Sequence, residues 1–437
     1  MLQQQVNGSF PLVTDIKQPE IDNEAWTQAF KGKRLGLHCH PASLVRAAIQ
    51  LDGIAESVLL VPFDACENFI KNAEKKLELD FILTDGLVDT SYWTTAVLHF
   101  EKVTSVAKNN SQLVEAKTNW LLATSGTTGT PKIVAHTIES LTRTTAKGRR
   151  YEDIYWGLLY DPARFAGLQV VLQAIFAKAR LIIPSPELDF EKKIEYLAEH
   201  GTSALSATPS LWRKILMSSS SNRLDLKQIT LGGEIADQRI LNSLVQRFPG
   251  SSITHIFAST EAGVGFSVTD KKAGFPSSWL QSGIRNVEMR VSDDGTLCLK
   301  NTHLNQKYLG DGAPIVDDNG WIDTGDLVEI ENDRVFFKGR LNGAINIGGN
   351  KVIPEDVEAV IQEVLGVSQV AVRAKFSSIA GSLVEALVVV EPDYSEPQSL
   401  KKKVKEHCSK VLPSFKVPAF VKLVDELPVG STGKIRR

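Results

Sequence analysis

A short loop rich in glycine, serine and threonine is the stretch of the sequence with the clearest chemical potential. It covers residues 124–132 and reads TSGTTGTPK. Such a loop offers backbone N–H groups and hydroxyls without bulky side chains, and its lysine adds one cation, which together suit a polyphosphate. Its spacing differs from the G-x-x-x-x-G-K-S/T of P-loop NTPases, because Gly126 and Gly129 are too close and Pro131 precedes the lysine. The sequence therefore predicts a phosphate-binding loop of another type, with a plain surface loop as the alternative.

Strand and helix patterns alternate on both sides of this loop, which predicts a parallel-type sheet covered by helices. Residues 1–35 are polar and irregular and predict a tail, and the polar run 218–221 predicts a loop. The predicted strands are residues 57–62, 81–84, 120–123, 180–184, 204–208, 228–231 and 252–257, and the predicted helices are residues 41–51, 67–77, 168–176, 194–200, 211–217 and 240–248.

Three successive predicted strands end in small or polar residues. The strand at 204–208 stops at Pro209, the strand at 228–231 runs into Gly232-Gly233-Glu234, and the strand at 252–257 runs into residues 258–263, ASTEAG. Ligands of open α/β sheets bind at the carboxyl ends of the parallel strands. We therefore expect a ligand crevice at this edge of the sheet.

The pattern changes in the last third of the chain. Residues 288–338 read as short strands joined by Asp-, Asn- and Gly-rich turns, which predicts a small β-rich subdomain. A boundary is predicted near residues 337–343, and beyond it three apolar strands and two helices predict a compact α+β unit.

Composition narrows the classes of function. The chain has 437 residues, a net charge of −2 and 43% hydrophobic residues, so we expect a soluble globular protein that binds neither nucleic acid nor a membrane. No signal peptide or apolar run long enough to insert in a membrane stands out. The cysteines Cys39, Cys66, Cys298 and Cys408 form no C-x-x-C pair and indicate reduced thiols of a cytoplasmic protein. His38-Cys39-His40 has zinc-ligand types, but no second cluster accompanies it, so no zinc site is predicted.

Five separated stretches resemble the ordered motifs of the adenylate-forming superfamily, which includes acyl- and aryl-CoA ligases, peptide-synthetase adenylation domains and luciferases. They are residues 124–132, Ser259-Thr260-Glu261, Thr324-Gly325-Asp326, Gly339-Arg340 with Gly348-Gly349, and Gly433-Lys434. The resemblance runs from about residue 40 to the end, with an N-terminal region shorter than is usual in the family. It implies an α/β fold: a large N-terminal domain (1–339) of parallel-type sheets, helices and the β-rich subdomain, a hinge (340–342), and a small mobile α+β C-terminal domain (343–437).

The resemblance also implies a reaction in two halves. A carboxylate attacks the α-phosphate of ATP to give an acyl-adenylate and pyrophosphate, and a thiol, most simply coenzyme A, then attacks the acyl carbon and expels AMP. Catalysis is assigned to Lys434, Thr260 and Glu261, and Mg²⁺ to Glu261 with Thr128. The nucleotide-binding residues that the resemblance implies are Thr124, Ser125, Gly126, Thr127, Thr128, Gly129, Lys132, Gly232, Gly233, Glu234, Phe257, Asp326 and Arg340.

Several of these residues have an ordinary structural alternative. Glu261 would hold the metal or would stand at a helix N-terminus. Phe257 occupies the position of the family's usual tyrosine and would stack on adenine opposite Gly232-Gly233-Glu234, or would belong to the core. Asp326 would accept the ribose hydroxyls or cap a turn, and Arg340 would add a second ribose or phosphate contact or lie on the surface.

Lys434 would be a solvated tail residue in most sequences. The resemblance instead assigns it to the α-phosphate and the substrate carboxylate during adenylation. Rotation about the hinge would then replace Lys434 by a thiol tunnel bordered by Gly348, Gly349 and Lys351. Asn342 and Asn346 depart from the family pattern, which has Asp or Lys at the hinge and often lysine at the second position.

The acid-binding pocket is implied by position, with walls from Arg164, Phe165, Ala166, Gly167, Ala207, Gly232, Ala258 and Gly263. Arg164 would pair with a second substrate carboxylate or be solvated, and Asp161 is a candidate for holding a substrate amine. The spacing from Gly167 to Lys178 fits the acyl-CoA type.

Three functions follow as hypotheses. The first is a ligase that joins a small carboxylic acid to coenzyme A. The second is a stand-alone adenylation enzyme that loads the phosphopantetheine of a carrier protein. Lys401-Lys402-Lys403 would contact an acidic carrier protein, or they are only the solvated start of a helix. The third is a non-catalytic nucleotide-binding protein. The acid stays open, as does the choice between monomer and homodimer.

Overall fold

A computed structural model describes residues 2–6, 10–16, 21–103, 117–124, 132–145, 153–260, 262–301, 307–309, 316–347, 350–377, 381–428 and 434–435. The helices in chain order are α1 (Leu2–Val6), α2 (Asn23–Phe30), α3 (Pro41–Leu51), α4 (Glu67–Lys76), α5 (Ile138–Thr142), α6 (Phe165–Ala177), α7 (Phe190–Glu199), α8 (Pro209–Met217), α9 (Gln238–Arg247), α10 (Trp279–Ser282), α11 (Pro354–Gln362) and α12 (Pro397–Val411). Short 3₁₀ helices cover Phe100–Lys102, Ser219–Arg223, Leu341–Gly343 and Ser414–Lys416.

The strands of the first half are β1 (Leu12–Thr14), β2 (Arg34–Leu37), β3 (Ser57–Leu60), β4 (Phe81–Thr84), β5 (Val97–His99), β6 (Asn119–Ala123), β7 (Ile133–His136), β8 (Tyr155–Gly157), β9 (Arg180–Ile183), β10 (Ala204–Ala207) and β11 (Gln228–Gly232). They continue as β12 (Ser252–Ser259), β13 (Gly263–Val268), β14 (Phe275–Pro276), β15 (Val287–Val291), β16 (Thr296–Asn301), β17 (Lys307–Leu309), β18 (Trp321–Glu331), β19 (Arg334–Arg340), β20 (Ile345–Ile347), β21 (Asn350–Val352), β22 (Val367–Ser377), β23 (Gly381–Val390) and β24 (Phe420–Leu423).

Two sheets of seven strands form the large N-terminal region. One has the order β1-β9-β8-β10-β11-β12-β13 and is parallel except for its last pair, β12 and β13. The other has the order β17-β7-β6-β3-β2-β4-β5, in which β7 runs antiparallel to both β6 and β17. Helices cover these sheets with buried side chains such as Trp212 of α8, Leu241 of α9 and Val171 of α6. The parallel-type sheets expected from the alternating pattern are confirmed.

A five-stranded antiparallel sheet, β14-β19-β18-β16-β15, follows where the turn-rich sequence predicted a β-rich subdomain. The C-terminal part contains the hairpin β20-β21 and a three-stranded sheet, β22-β23-β24. Helices α11 and α12 pack on this sheet through buried Val357, Ile361, Leu400, Val404 and Cys408. The predicted α/β class, with a small α+β part at the C-terminal end, is confirmed.

The N-terminal segment is not a tail, so that prediction is wrong. Strand β1 pairs with β9, with Leu12 opposite Leu181, and α2 buries Trp26 and Phe30 completely. Helix α2 begins at a clear cap, since Asp22 Oδ1 accepts the N–H groups of Glu24 and Ala25, each at 3.0 Å. The polar run at 218–221 likewise enters a 3₁₀ helix, where Ser219 Oγ donates to Glu191 at 2.6 Å. In the described part of the chain, no helix is both long and apolar enough to cross a membrane.

Candidate active site

The carboxyl ends of β10, β11 and β12 meet at one edge of the first sheet. The strands are adjacent and parallel, with Ala207 opposite Leu231 and Gly232 opposite Ile256. Thr208 follows β10 and caps α8 by accepting the N–H of Leu211. The sequence predicted that these strand ends would come together, and they do.

Glu234 and Gly233 meet the C-terminal end of the chain at this edge. One carboxylate oxygen of Glu234 accepts the N–H of Ser210 at 2.9 Å, and the other accepts the N–H of Ile435 at 3.0 Å. Gly233 has a φ of +81°, and a Cβ built on it would lie 3.0 Å from Cε and 3.8 Å from Nζ of Lys434. The structure therefore brings Lys434 to the strand ends, although it lies far from them in sequence.

Asp326 and Arg340 form an ion pair in the same site. They face each other across β18 and β19, and Arg340 Nε lies 3.0 Å from Asp326 Oδ1. Burial raises the pKa of Asp326, whose side chain is 14% exposed, while the charges of Arg340 and Lys434 and a hydrogen bond with Thr324 oppose that rise. Lys434 therefore lies near enough to the ion pair for its charge to act on Asp326.

The predicted phosphate loop and metal ligand lie mostly outside the described residues. This applies to Ser125, Gly126, Thr127, Thr128, Gly129 and Glu261, and also to Gly348 and Gly349 of the predicted thiol tunnel. Thr124 is buried after β6, and its N–H donates to the carbonyl of Lys132 at 2.8 Å, so the two ends of the loop are neighbours. Thr260 follows β12 directly, and Lys351 is exposed on β21.

Phe257 lies in an aromatic cluster. Its ring is nearly parallel to those of Phe266 and Phe337, with centroids 5.3 and 5.0 Å away, and Phe275 and Trp279 extend the same cluster. This position agrees with the core alternative considered from the sequence. Stacking of Phe257 on adenine stays a prediction.

The predicted pocket residues near α6 are held by contacts within the chain, some of them with residues distant in sequence. Arg164 Nη2 lies 2.9 Å from Asp64 Oδ1, so the arginine is ion-paired within the chain. Asp161 is largely buried, which raises the pKa of its carboxyl, and its oxygens accept the N–H groups of Phe63 and Ala163. A Cβ on Gly167 would stand 2.1 Å from the carbonyl oxygen of Asp161, which requires glycine there.

The remaining pocket candidates differ in exposure. Phe165 and Ala207 are buried, Ala166 is exposed, and Ala258 is half-buried in β12. Gly263 begins β13 opposite Ser259.

His38, Cys39 and His40 are used structurally: His38 accepts the indole N–H of Trp93 at 3.1 Å, and His40 caps α3. Among the described residues no cluster of three or more His, Cys, Asp or Glu could hold a metal.

Comparison with known proteins decides the family. A family model for AMP-binding enzymes matches residues 51–309, more than half of the chain, and the model for their C-terminal domain matches residues 356–434. The chain belongs to the AMP-binding enzyme family. The resemblance to adenylate-forming enzymes is thereby confirmed.

The relatives of this AMP-binding enzyme include several CoA ligases. A 2-succinylbenzoate–CoA ligase from Listeria monocytogenes is 27% identical over 396 residues, covering 84% of this chain and 82% of the relative. A long-chain-fatty-acid–CoA ligase from Mycobacterium tuberculosis is 26% identical over 335 residues, covering 72% and 65%. Among solved structures, an anthranilate CoA ligase in complex with anthranoyl-AMP superposes with a TM-score of 0.80 at 14% identity, covering 99% of this chain and 95% of that one.

His136 lies beside the predicted site of this AMP-binding enzyme, and the sequence did not reveal it. It ends β7, the strand after the predicted phosphate loop, and it forms a hydrogen bond with the backbone of Thr260. Its ring also lies 5.9 Å from that of Phe165. Burial lowers the pKa of His136 to about 4, so the imidazole is neutral at pH 7. Its place four residues after Lys132 is the only sequence signal that pointed to it.

Proposed function

We propose that this protein is an AMP-forming acid–thiol ligase that activates a small carboxylic acid with ATP and transfers the acyl group to coenzyme A. The observation that carries the proposal is the position of Lys434, beside Gly233 and within the electrostatic reach of Asp326. The CoA-ligase relatives support the same reaction.

Each half of the reaction has a defined charge problem. In the first, a substrate carboxylate oxygen bonds to the α-phosphorus and pyrophosphate leaves, so two anions must approach each other. The ammonium group of Lys434 would offset that repulsion, because it is a compact charge on a flexible stem. Asp326 would accept the ribose hydroxyls. Mg²⁺ would be held by Glu261 with Thr128 and would neutralise phosphate charge.

In the second half the thiolate sulfur bonds to the acyl carbon and AMP leaves. We propose that the C-terminal domain (343–437) rotates about residues 340–342 between the halves, which would remove Lys434 and bring Gly348, Gly349 and Lys351 to the acyl group. In support of this, a short 3₁₀ helix, Leu341–Gly343, joins β19 to the C-terminal part.

The other two hypotheses gain less support. Two lysines of the basic start of α12 are paired within their own domain: Lys403 lies 2.7 Å from Glu396, and Lys402 lies 3.7 Å from Glu406. They therefore give no particular argument for an acidic carrier protein. A non-catalytic nucleotide-binding protein has no need for a lysine placed beside Gly233, which favours the enzyme.

The test is exchange of labelled pyrophosphate into ATP over a panel of aryl, fatty, dicarboxylic and amino acids. We expect one acid class to drive exchange in the wild type, and Lys434→Ala to lose at least about 100-fold. Lys410→Ala, an exposed lysine of α12, serves as the matched control and should exchange like the wild type.

Adding coenzyme A to the active mixture should then release AMP and form a thioester. ATP binding without exchange under any acid class would contradict the proposal, and so would undiminished exchange in Lys434→Ala. AMP release that requires a carrier protein instead of coenzyme A would favour the second hypothesis.

A further inference from the structure

The carboxylate of Glu234 joins two distant parts of the chain through their backbones. Its Oε2 accepts the N–H of Ser210, the second residue of α8, and its Oε1 accepts the N–H of Ile435, which is 201 residues further along. The side chain is half-buried between them. Both oxygens of this carboxylate are therefore directed at protein N–H groups, and the adenine slot predicted for Gly232-Gly233-Glu234 would be bordered by backbone.

The two bonds differ in what they hold. The first turn of α8 carries unsatisfied N–H groups and the positive end of the helix dipole, which anchors the carboxylate to a rigid element. The second bond fixes the amide of the residue that follows Lys434. The hydrogen bond at Ile435 thus fixes the backbone from which the Lys434 side chain extends, and that side chain passes over Gly233, which has no Cβ to block it.

We propose that Glu234 is a positioning residue for the adenylation half-reaction: it clamps the Ile435 amide and so holds Lys434 at the strand ends. This inference rests on the proposed function and deepens it. Glu234 and Lys434 act as one unit, and the hydrogen bond between Glu234 and Ile435 exists only while the C-terminal end lies against the sheet edge. The thioester-forming half-reaction, for which Lys434 is proposed to move away, does not need Glu234.

The first test separates the two half-reactions in Glu234→Ala. We expect pyrophosphate exchange to fall about 10- to 100-fold, because a charge-assisted hydrogen bond beside the lysine is lost. Thioester formation from supplied acyl-adenylate and coenzyme A should fall much less than exchange does. Glu234→Gln should recover part of the exchange, since its amide oxygen still accepts one of the two N–H groups.

The second test is a double-mutant comparison with Lys434→Ala. If Glu234 acts through Lys434, the double variant exchanges no more slowly than Lys434→Ala alone, because the unit is already disabled. Glu426→Gln is the control, since Glu426 pairs with Lys214 at 3.1 Å on an exposed surface and is expected to change exchange less than about threefold.

Three outcomes would overturn the inference. The first is a Glu234→Ala enzyme with wild-type exchange, and the second is equal loss in both half-reactions. The third is multiplication of the two losses in the double variant, which would mean that Glu234 contacts the nucleotide independently. Failure of the proposed function itself is distinguishable, because the wild type would then show no acid-dependent exchange.

Discussion

Replacing Gly233 with alanine separates the stability of the strand-end turn from the placement of Lys434. Gly233 has a φ of +81°, a conformation that costs an L-residue about 1–2 kcal/mol. The new Cβ would also lie 3.0 Å from Cε of Lys434, a few tenths of an ångström inside ordinary contact. The lysine end is flexible, so it yields to the Cβ, and that movement displaces the group proposed to act at the α-phosphate.

The two consequences have different sizes. The backbone strain lowers the free energy of unfolding by about 1–2 kcal/mol, which shifts the melting temperature of a chain this long by only about 1–2 °C. The displaced ammonium group has a larger effect on rate, because a shift of about 1 Å in a reacting group is enough to cost about 100-fold. With a smaller displacement here, we expect pyrophosphate exchange by Gly233→Ala to fall about tenfold.

Gly232→Ala is the matched comparison, since both glycines belong to the same predicted adenine wall. A Cβ on Gly232 meets only the carbonyl oxygen of Ile256 at 3.7 Å, an ordinary contact. We expect this variant to lose less exchange than Gly233→Ala does, because its Cβ does not approach Lys434. Thermal unfolding and exchange are measured on both variants under the same conditions. Equal losses of exchange in the two variants would refute the reasoning, because the adenine wall and not Lys434 would then control the rate.

Three further predictions address stability, packing and domain contact. Burial lowers the pKa of His38 and of His136 from 6.5 to about 4, so between pH 6.5 and 4 the unfolded chain binds protons that the folded chain does not. Each histidine should therefore lower the free energy of unfolding by about 3 kcal/mol as the pH falls through this range. A free energy of unfolding in urea that does not change between pH 6.5 and 4 would contradict this prediction. Gly167→Ala should lower stability by about 1–3 kcal/mol, because its Cβ would collide with the Asp161 backbone; a melting temperature equal to wild type would show otherwise. Arg239→Met removes a 2.7 Å ion pair to Glu391 and should slow exchange by less than about fivefold without slowing thioester formation from supplied adenylate. Equal slowing of both half-reactions would contradict a role of this ion pair in holding the C-terminal part for adenylation.

The sequence predicted the parts of the site that depend on local pattern. Alternating strands and helices placed the ends of β10, β11 and β12 on one edge, and parallel order made them neighbours. The tail prediction failed because β1 has only three residues, too few to show an alternating pattern, and depends on its pairing with β9. Arg164 was expected to face substrate or solvent, but its partner Asp64 lies 100 residues earlier, and only the folded chain brings the two together.

The hydrogen bond from the Ile435 N–H to Glu234 could not be predicted from the sequence, for a different reason. A motif can reveal a lysine because its charge is a property of the side chain, but the group that Glu234 grips is a backbone N–H, which every residue except proline possesses. Among the described residues, the contacts between the large region and the C-terminal part include two exposed ion pairs, Lys214 with Glu426 and Arg239 with Glu391, and such pairs contribute little. Weak surface pairs suit a domain that is proposed to leave after each adenylation, provided that a half-buried bond sets the lysine accurately while it is there. Glu234 meets that requirement, because it acts on the residue next to Lys434 and is itself anchored to α8.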